Sequence, residues 1–176
     1  MNRRKEINKI VKDSIAESLF FLMRTKTFSD ITVTEIVKKA GVARASFYRN
    51  FAYKEDVIGY YLVEVMKRYK DQFFRSESDY GEMILETMHF ALDYREELES
   101  LFKAGLSQLF LSTINTYLLD KWNGKFEKET DKYFLFSYGG SIFNVICCWI
   151  ESGAKENPEE IAEVILNAER IFRARV

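Results

Sequence analysis

The chain has 176 residues, 47% hydrophobic and 30% charged, with one Pro and eight Gly, which excludes collagen-like, low-complexity and turn-rich all-β architectures. Its 26 Lys and Arg stand against 27 Asp and Glu, a net charge of −1, so the whole is neither a polybasic nor an acidic tail. No run of about eighteen uninterrupted apolar residues occurs, and the N-terminus reads as amphipathic rather than as a signal core; both point to a soluble, cytoplasmic, helical protein with no membrane partner. The even balance hides a split. Residues 1–60 carry 12 basic and 7 acidic side chains, net +5, and the remainder carries 14 and 20, net −6. A basic first third suggests that this part meets a polyanion.

Ile7, Ile10, Val11, Ile15, Leu19 and Leu22 recur at three- and four-residue steps, which predicts an amphipathic helix over about 5–24. Thr32 followed by Glu35 forms a capping box, so a second helix begins at Val33, and Gly41 closes it after barely two turns. Val42 re-enters the core, and Arg44 to Arg49 form another short helix with Phe47, and Phe51 beyond it, turned inward. Two short helices joined at a glycine make a helix-turn-helix. Entry into a major groove about 12 Å wide requires small or polar residues in front, here Arg44, Ala45 and Ser46, flanked by Tyr48 and Arg49. The same helix–Gly–helix pattern also serves ordinary core packing, and spacing and charge alone leave both readings open.

The run Ile31-Thr32-Val33-x-Glu35-Ile36-x-Lys38-x-Ala40-Gly41-Val42, continued by Phe47-Tyr48, Phe51 and Lys54-Glu55, resembles the DNA-binding domain of TetR-type transcriptional regulators. The resemblance spans roughly residues 5–60. It implies an all-α fold of about nine helices: a three-helix DNA-binding head, residues 1–53, and a helical ligand-binding and dimerisation domain, residues 54–176. It further implies that Thr32 and Lys54 hold phosphates at helix N-termini, and that Thr34, Arg44, Ala45, Ser46, Tyr48 and Arg49 touch bases or backbone. Two departures stand out. Ala43 and Tyr53 occupy positions where such proteins commonly place a capping side chain, and an Ala cap costs about 1 kcal/mol relative to Ser. Glu55 and Asp56 partly offset the second loss by meeting the helix dipole.

Beyond the head, Lys54 to Phe74 reads as one long helix striped by Val57, Tyr61, Val65, Tyr69 and Phe73, broken by the polar run 76–79. Helices follow over 81–94, 96–103 and 106–122, the last ended by 123–125, and then an almost wholly apolar one over 132–152, which must be covered on most sides. Gly139 and Gly140 within it permit the close approach of another helix. Asn157, Pro158 and Glu160 open a final helix striped by Ile161, Val164, Ile165, Ala168, Ile171 and Phe172. Two terminal helices with this much apolar surface suggest self-association. The family resemblance sharpens that to a homodimer paired through these helices, with Phe136, Gly140, Phe143, Ile161 and Ile165 at the interface. The stretch from Trp149 to Glu160 also resembles a C-terminal region common in such regulators from Gram-positive bacteria.

Nineteen of the 27 aromatic residues lie beyond residue 60. Most must be core. The surplus around Met83, Met88, His89, Phe90, Phe102, Phe110 and Tyr117 can line a pocket for an apolar or aromatic small-molecule effector, with a filled core as the rival reading. Cys147 and Cys148 are adjacent and cannot staple distant segments, and with one His they make no zinc site, so neither metal nor cofactor is expected. Without a phosphate-binding glycine loop or a nucleophile elbow, an enzyme is the least favoured reading. The first is a dimeric regulator that binds a near-palindromic stretch of duplex DNA, as a repressor by the habit of the family. The second is a helical co-regulator that docks a protein partner, favoured if the Arg44–Arg49 face is buried.

Overall fold

The structure, a computed structural model, describes residues 3–73, 80–122, 124 and 127–168, without the side chains of 71–73 and 80. The stripe member Phe73, the breaks at 76–79 and 123–125 (Gly124 apart) and the terminal Ile171 and Phe172 lie outside these described side chains. Nine α-helices run in order among the described residues: α1 Arg3–Met23, α2 Val33–Ala40, α3 Arg44–Asn50, α4 Lys54–Phe73, α5 Tyr80–Asp93, α6 Arg95–Lys103, α7 Ser107–Trp122, α8 Asp131–Glu151 and α9 Pro158–Leu166. A single 3₁₀ turn, Phe28–Asp30, links α1 to α2, and no strand occurs among the described residues.

Local chemistry sets the helix ends. At α2 the Thr32 hydroxyl accepts from the Glu35 main-chain N–H (3.2 Å), and the Glu35 carboxylate accepts from the Thr32 N–H (2.9 Å). Gly41, at φ 66° and ψ 28°, supplies the left-handed conformation that lets the Val42 N–H reach back to the Val37 carbonyl (3.0 Å). At α9 Asn157 and Glu160 form a second reciprocal box, with Pro158 in the first turn, where its missing N–H costs nothing.

Three apolar clusters fill the molecule. The first joins Ile15, Leu19 and Phe20 of α1 to Ile36, Phe47 and Phe51, and it also takes in Val57, Ile58 and Leu62 of α4 and Leu101 of α6. The second packs Ile84 and Met88 of α5 against Leu98, Ile142, Ile146, Trp149, Ile150 and Ala162. The third holds Ile114 and Leu118 of α7 against Leu135 and Phe143 of α8. Helix α6 belongs to two of them, through Leu101 and Leu98.

Helix α8 is covered on one face only. Leu135, Gly139, Ile142, Phe143, Ile146, Trp149 and Ile150 are buried, whereas Tyr133, Phe134, Phe136, Ser137, Ser141, Asn144 and Cys148 are exposed. By length and composition alone α8 is apolar enough to cross a membrane, but its buried face is a core contact with α5, α6 and α7. Only one of the two glycines admits a neighbour. A Cβ on Gly139 would lie 2.8 Å from Asn115 Oδ1 and 3.0 Å from Leu118 Cδ1 of α7, whereas one on Gly140 would meet nothing within 4 Å.

Candidate nucleic-acid interface and cavity

The second helix of the helix-turn-helix presents a prepared surface. Phe47 is fully buried and anchors α3, with its ring 5.8 Å from that of Phe51. The opposite side of the seven-residue helix then faces water: Arg44, Ala45, Tyr48 and Arg49 are exposed and Ser46 is half-buried. Burial of this face would have favoured the protein-docking reading; it is open. Arg44 and Tyr48 are one helical turn apart and already paired, the guanidinium donating to the phenol oxygen (3.2 Å) with its carbon 5.6 Å from the ring centre. The pair holds two long side chains in one orientation, which lowers the entropy lost when they meet a ligand. Thr34 is exposed in the first turn of α2.

Thr32 and Lys54 are engaged within the chain. The Thr32 hydroxyl accepts from the Glu35 N–H and donates to the Glu35 carboxylate (2.8 Å), which also binds Lys26 Nζ (2.6 Å). These contacts, the lysine first, hold the Glu35 carboxyl down at about 2. Lys54 turns its ammonium back onto the chain and donates to the carbonyls of Phe28 (2.7 Å), Ile31 (2.7 Å) and Ser29 (3.3 Å), above the Phe28 ring. It ties the start of α4 to the 3₁₀ turn that leads into α2.

The two irregular caps resolve differently. Ala43 makes no side-chain cap bond at α3. At α4, Asp56 accepts from the main-chain N–H groups of both Ala52 and Tyr53 (2.9 Å each), so the third helical position fastens the turn ahead of the helix as well as meeting the dipole. This leaves Tyr53 70% exposed in the turn between α3 and α4. Sequence reasoning treated Tyr53 only as a poor cap; an aromatic residue directly ahead of a helix that is capped from its third position was the available signal.

The second feature is a cavity of about 330 Å³ enclosed by α1, α4, α5, α6, α7 and α8, with an almost wholly apolar wall. Phe110 and Tyr117 line it, as do Met83 and Phe90. Met88, His89 and Phe102 do not. Met88 is fully buried in the second cluster, and Phe102 packs between the first two clusters. His89 is on the outside of α5, with Nε2 3.1 Å from Glu159 Oε1 of α9. The helical step explains the difference. Met83, Thr87 and Phe90 lie one turn apart on one face, while Met88 and His89 are rotated towards α8 and α9. Of the residues named for an interface, Phe136 is exposed and Gly140 faces open space; Phe143 is buried, and Ile161 and Ile165 pack on the second cluster.

Two family models cover most of the chain. Residues 21–60 match the model described as bacterial regulatory proteins, tetR family, and residues 79–168 match that of a transcriptional regulator C-terminal region, more than half the sequence. The chain belongs to the TetR family of transcriptional regulators. Solved structures share the fold. The crystal structure of Lin0861 from Listeria innocua superposes with a TM-score of 0.83 at 16% identity, covering 98% of this chain and 94% of that one. A TetR transcriptional regulator from Rhodococcus sp. RHA1 gives 0.60 at 18%, covering 94% and 98%. The TetR family repressor AlkX from Dietzia sp. strain DQ12-45-1b, implicated in biodegradation of n-alkanes, gives 0.55 at 14%, covering 94% and 96%. No curated protein matches the sequence. This TetR-family chain is thus a DNA-binding transcriptional regulator, and members of the family are regulators rather than enzymes.

Proposed function

We propose that this chain is a cytoplasmic, homodimeric repressor that holds a near-palindromic operator and releases it when a small apolar effector fills the cavity. The observation that carries the DNA reading is the open face of α3 with its pre-paired Arg44 and Tyr48. Arg44, Ala45 and Ser46 lead into the major groove. Tyr48, Arg49 and Thr34 reach base edges or flanking phosphates, and Tyr53, next to them in the chain, reaches the backbone. Thr32 and Lys54 act behind this surface by shaping it. The head, residues 1–53, reads DNA; residues 54–176 pair the protomers and take the effector.

The dimer is supported by the bare face of α8, where Tyr133, Phe134 and Phe136 stand in water beside the small residues Ser137, Gly140 and Ser141. A second copy would cover it, with Phe136 and Gly140 in direct contact and Phe143, Ile161 and Ile165 supporting from beneath. Two heads then meet half-sites one helical turn, about 34–36 Å, apart. No metal or cofactor takes part in this reading.

Selection of bound sequences from random duplex DNA tests it, followed by Arg44→Ala and Tyr48→Ala on the selected site. A near-palindrome is expected. Each substitution should weaken binding by about 1–3 kcal/mol per half-site while dimer and helix content stay intact. Variants that bind as tightly as wild type would remove α3 from the interface.

A further inference from the structure

We propose that each operator half-site carries a guanine read by Arg44 and, in the adjoining base pair, a thymine whose methyl group meets Ala45. The inference rests on the DNA-binding reading of α3 and adds the base content of the sequence it recognises.

Arg44 is held by a chain of contacts that starts in the core. Phe47 is fully buried, and the Tyr48 ring stands edge-on to it, with ring centres 5.4 Å apart and planes at 78°. Tyr48 is 52% exposed, and its hydroxyl accepts from Arg44 Nη2 (3.2 Å), with the guanidinium carbon 5.6 Å from the ring centre. One of the five guanidinium N–H groups is used in this way, and the others are left for a ligand. Helix α3 carries no acidic side chain, and Arg44 donates to no carboxylate among the described residues. Arg49, in the last turn, differs. No contact fixes its guanidinium among the described residues, which suits a phosphate, whereas a guanidinium held in one orientation suits a base edge.

The major groove offers that fork one good match. Guanine presents two acceptors side by side, O6 and N7. Adenine sets an amino donor beside its N7, cytosine presents an amino donor, and thymine has a single acceptor beside a methyl group, so each leaves arginine donors unpaired. Ala45 supplies the second reading. At 3.6 residues per turn it points about 160° around α3 from Phe47, straight out of the head. No atom beyond its Cβ holds the backbone off the bases, and among the base edges its methyl has an apolar counterpart on thymine. Arg44 and Ala45 are about 1.5 Å apart along the helix, less than the roughly 3.4 Å between base pairs, so they meet the same or neighbouring pairs. A G·C pair holds no thymine, which places the thymine in the next one.

Selection of bound sequences with the full chain, followed by competition binding on the selected duplex at low ionic strength, where affinities are highest, tests the proposal. A guanine with a thymine in the adjoining pair should be fixed in both half-sites. Exchange of that guanine for adenine should weaken wild type by about tenfold or more per half-site, and 7-deazaguanine, which lacks the N7 acceptor, should weaken it several-fold. Both penalties should vanish in Arg44→Ala and shrink in Tyr48→Phe, which keeps the ring and loses the hydroxyl. Deoxyuridine in place of the thymine removes the methyl alone and should cost wild type about three- to fourfold per half-site, and Ala45→Gly nothing. Each comparison sets two duplexes against one protein, so a loss of stability in a variant cancels. No fixed guanine, or penalties that persist in Arg44→Ala, overturns the guanine assignment. No adjoining thymine, or a response to its methyl that is absent from wild type or retained in Ala45→Gly, overturns the thymine assignment. Penalties of full size in Tyr48→Phe overturn the bracing of Arg44. All three results leave DNA binding standing, whereas failure of the folded chain to bind any duplex overturns the regulator reading and this proposal with it.

Discussion

Replacement of Lys54 by Met separates two roles that the same lysine could fill. As a phosphate ligand, Lys54 would release counterions on binding, and its loss would reduce the slope of log K against log salt by about 0.9 for each head. Its ammonium instead donates to three main-chain carbonyls, at 2.7, 2.7 and 3.3 Å, from a half-buried position. A hydrogen bond to a charged group contributes about 1.5–3 kcal/mol. The three here share one partly hydrated donor group, and the longest is weak, so the combined effect is about 2 kcal/mol. Met keeps the aliphatic stem against Phe28, so the loss is that of the bonds and not of the packing. Lys54→Met should therefore lower the stability measured by urea unfolding by about 2 kcal/mol. Operator binding, measured across salt under folded conditions, should keep the wild-type slope. A variant of unchanged stability with a slope flattened by about 0.9 per head would refute the reasoning and return Lys54 to the DNA backbone.

Three further outcomes follow from the same structure. Gly140→Ala should raise monomer stability by up to about 1 kcal/mol from helix propensity, because its Cβ meets open space. Gly139→Ala should lose that gain and up to about 2 kcal/mol more, because its Cβ must displace Asn115 and Leu118; equal effects in thermal unfolding would disprove the packing of α8 on α7. Gly140→Leu should weaken self-association on sedimentation, and an unchanged dimer would place the interface elsewhere. Glu35 has a folded pKa depressed from 4.5 to about 2, so its contribution is present above about pH 4.5 and is lost as pH falls through about 2. The stability gap between wild type and Glu35→Gln should accordingly narrow over that window, whereas a gap constant with pH would show that the carboxylate charge is immaterial.

What could be read in advance followed from how local each signal is. The box Thr32–Glu35, the left-handed Gly41 and the opening Asn157-Pro158-Glu160 act within four residues, and those helix ends stand in the structure where the residues point. Lys54 is different. Its partners lie 23 to 26 residues away, so no spacing rule distinguishes an ammonium folded onto carbonyls from one held out to a phosphate. The cavity fails in a third way. Aromatic surplus indicates that a wall exists, but assigning Phe90 rather than His89 to it requires knowing which neighbour α5 faces, and that is decided by packing against α4, α8 and α9 together. Apolar α8 shows the same limit: composition called for cover, and half of that cover is missing within one chain.

The placement of the cavity bears on how occupancy could change DNA binding. A ligand shifts an equilibrium only by its difference in affinity for the two states, and a change from 1:99 to 99:1 needs about 5.5 kcal/mol. At a gross transfer free energy of about 0.8 kcal/mol per buried methylene, that difference equals the whole burial of about seven methylenes. So large a share must be sensitive to head position that a wall indifferent to the heads could not serve. Helix α5 packs chiefly on α9, away from the head, and cannot supply the sensitivity alone. Phe20 of α1 and Tyr61 and Leu62 of α4 line the cavity and also pack in the head core, with the Phe20 and Tyr61 rings 4.2 Å apart. Beside them Arg24 pairs with Glu96 (2.8 Å) and Glu97 (3.4 Å), fastening the end of α1 to α6. An occupant that pushes these side chains moves the head directly, because no intervening layer separates the cavity from the core on which α3 is seated.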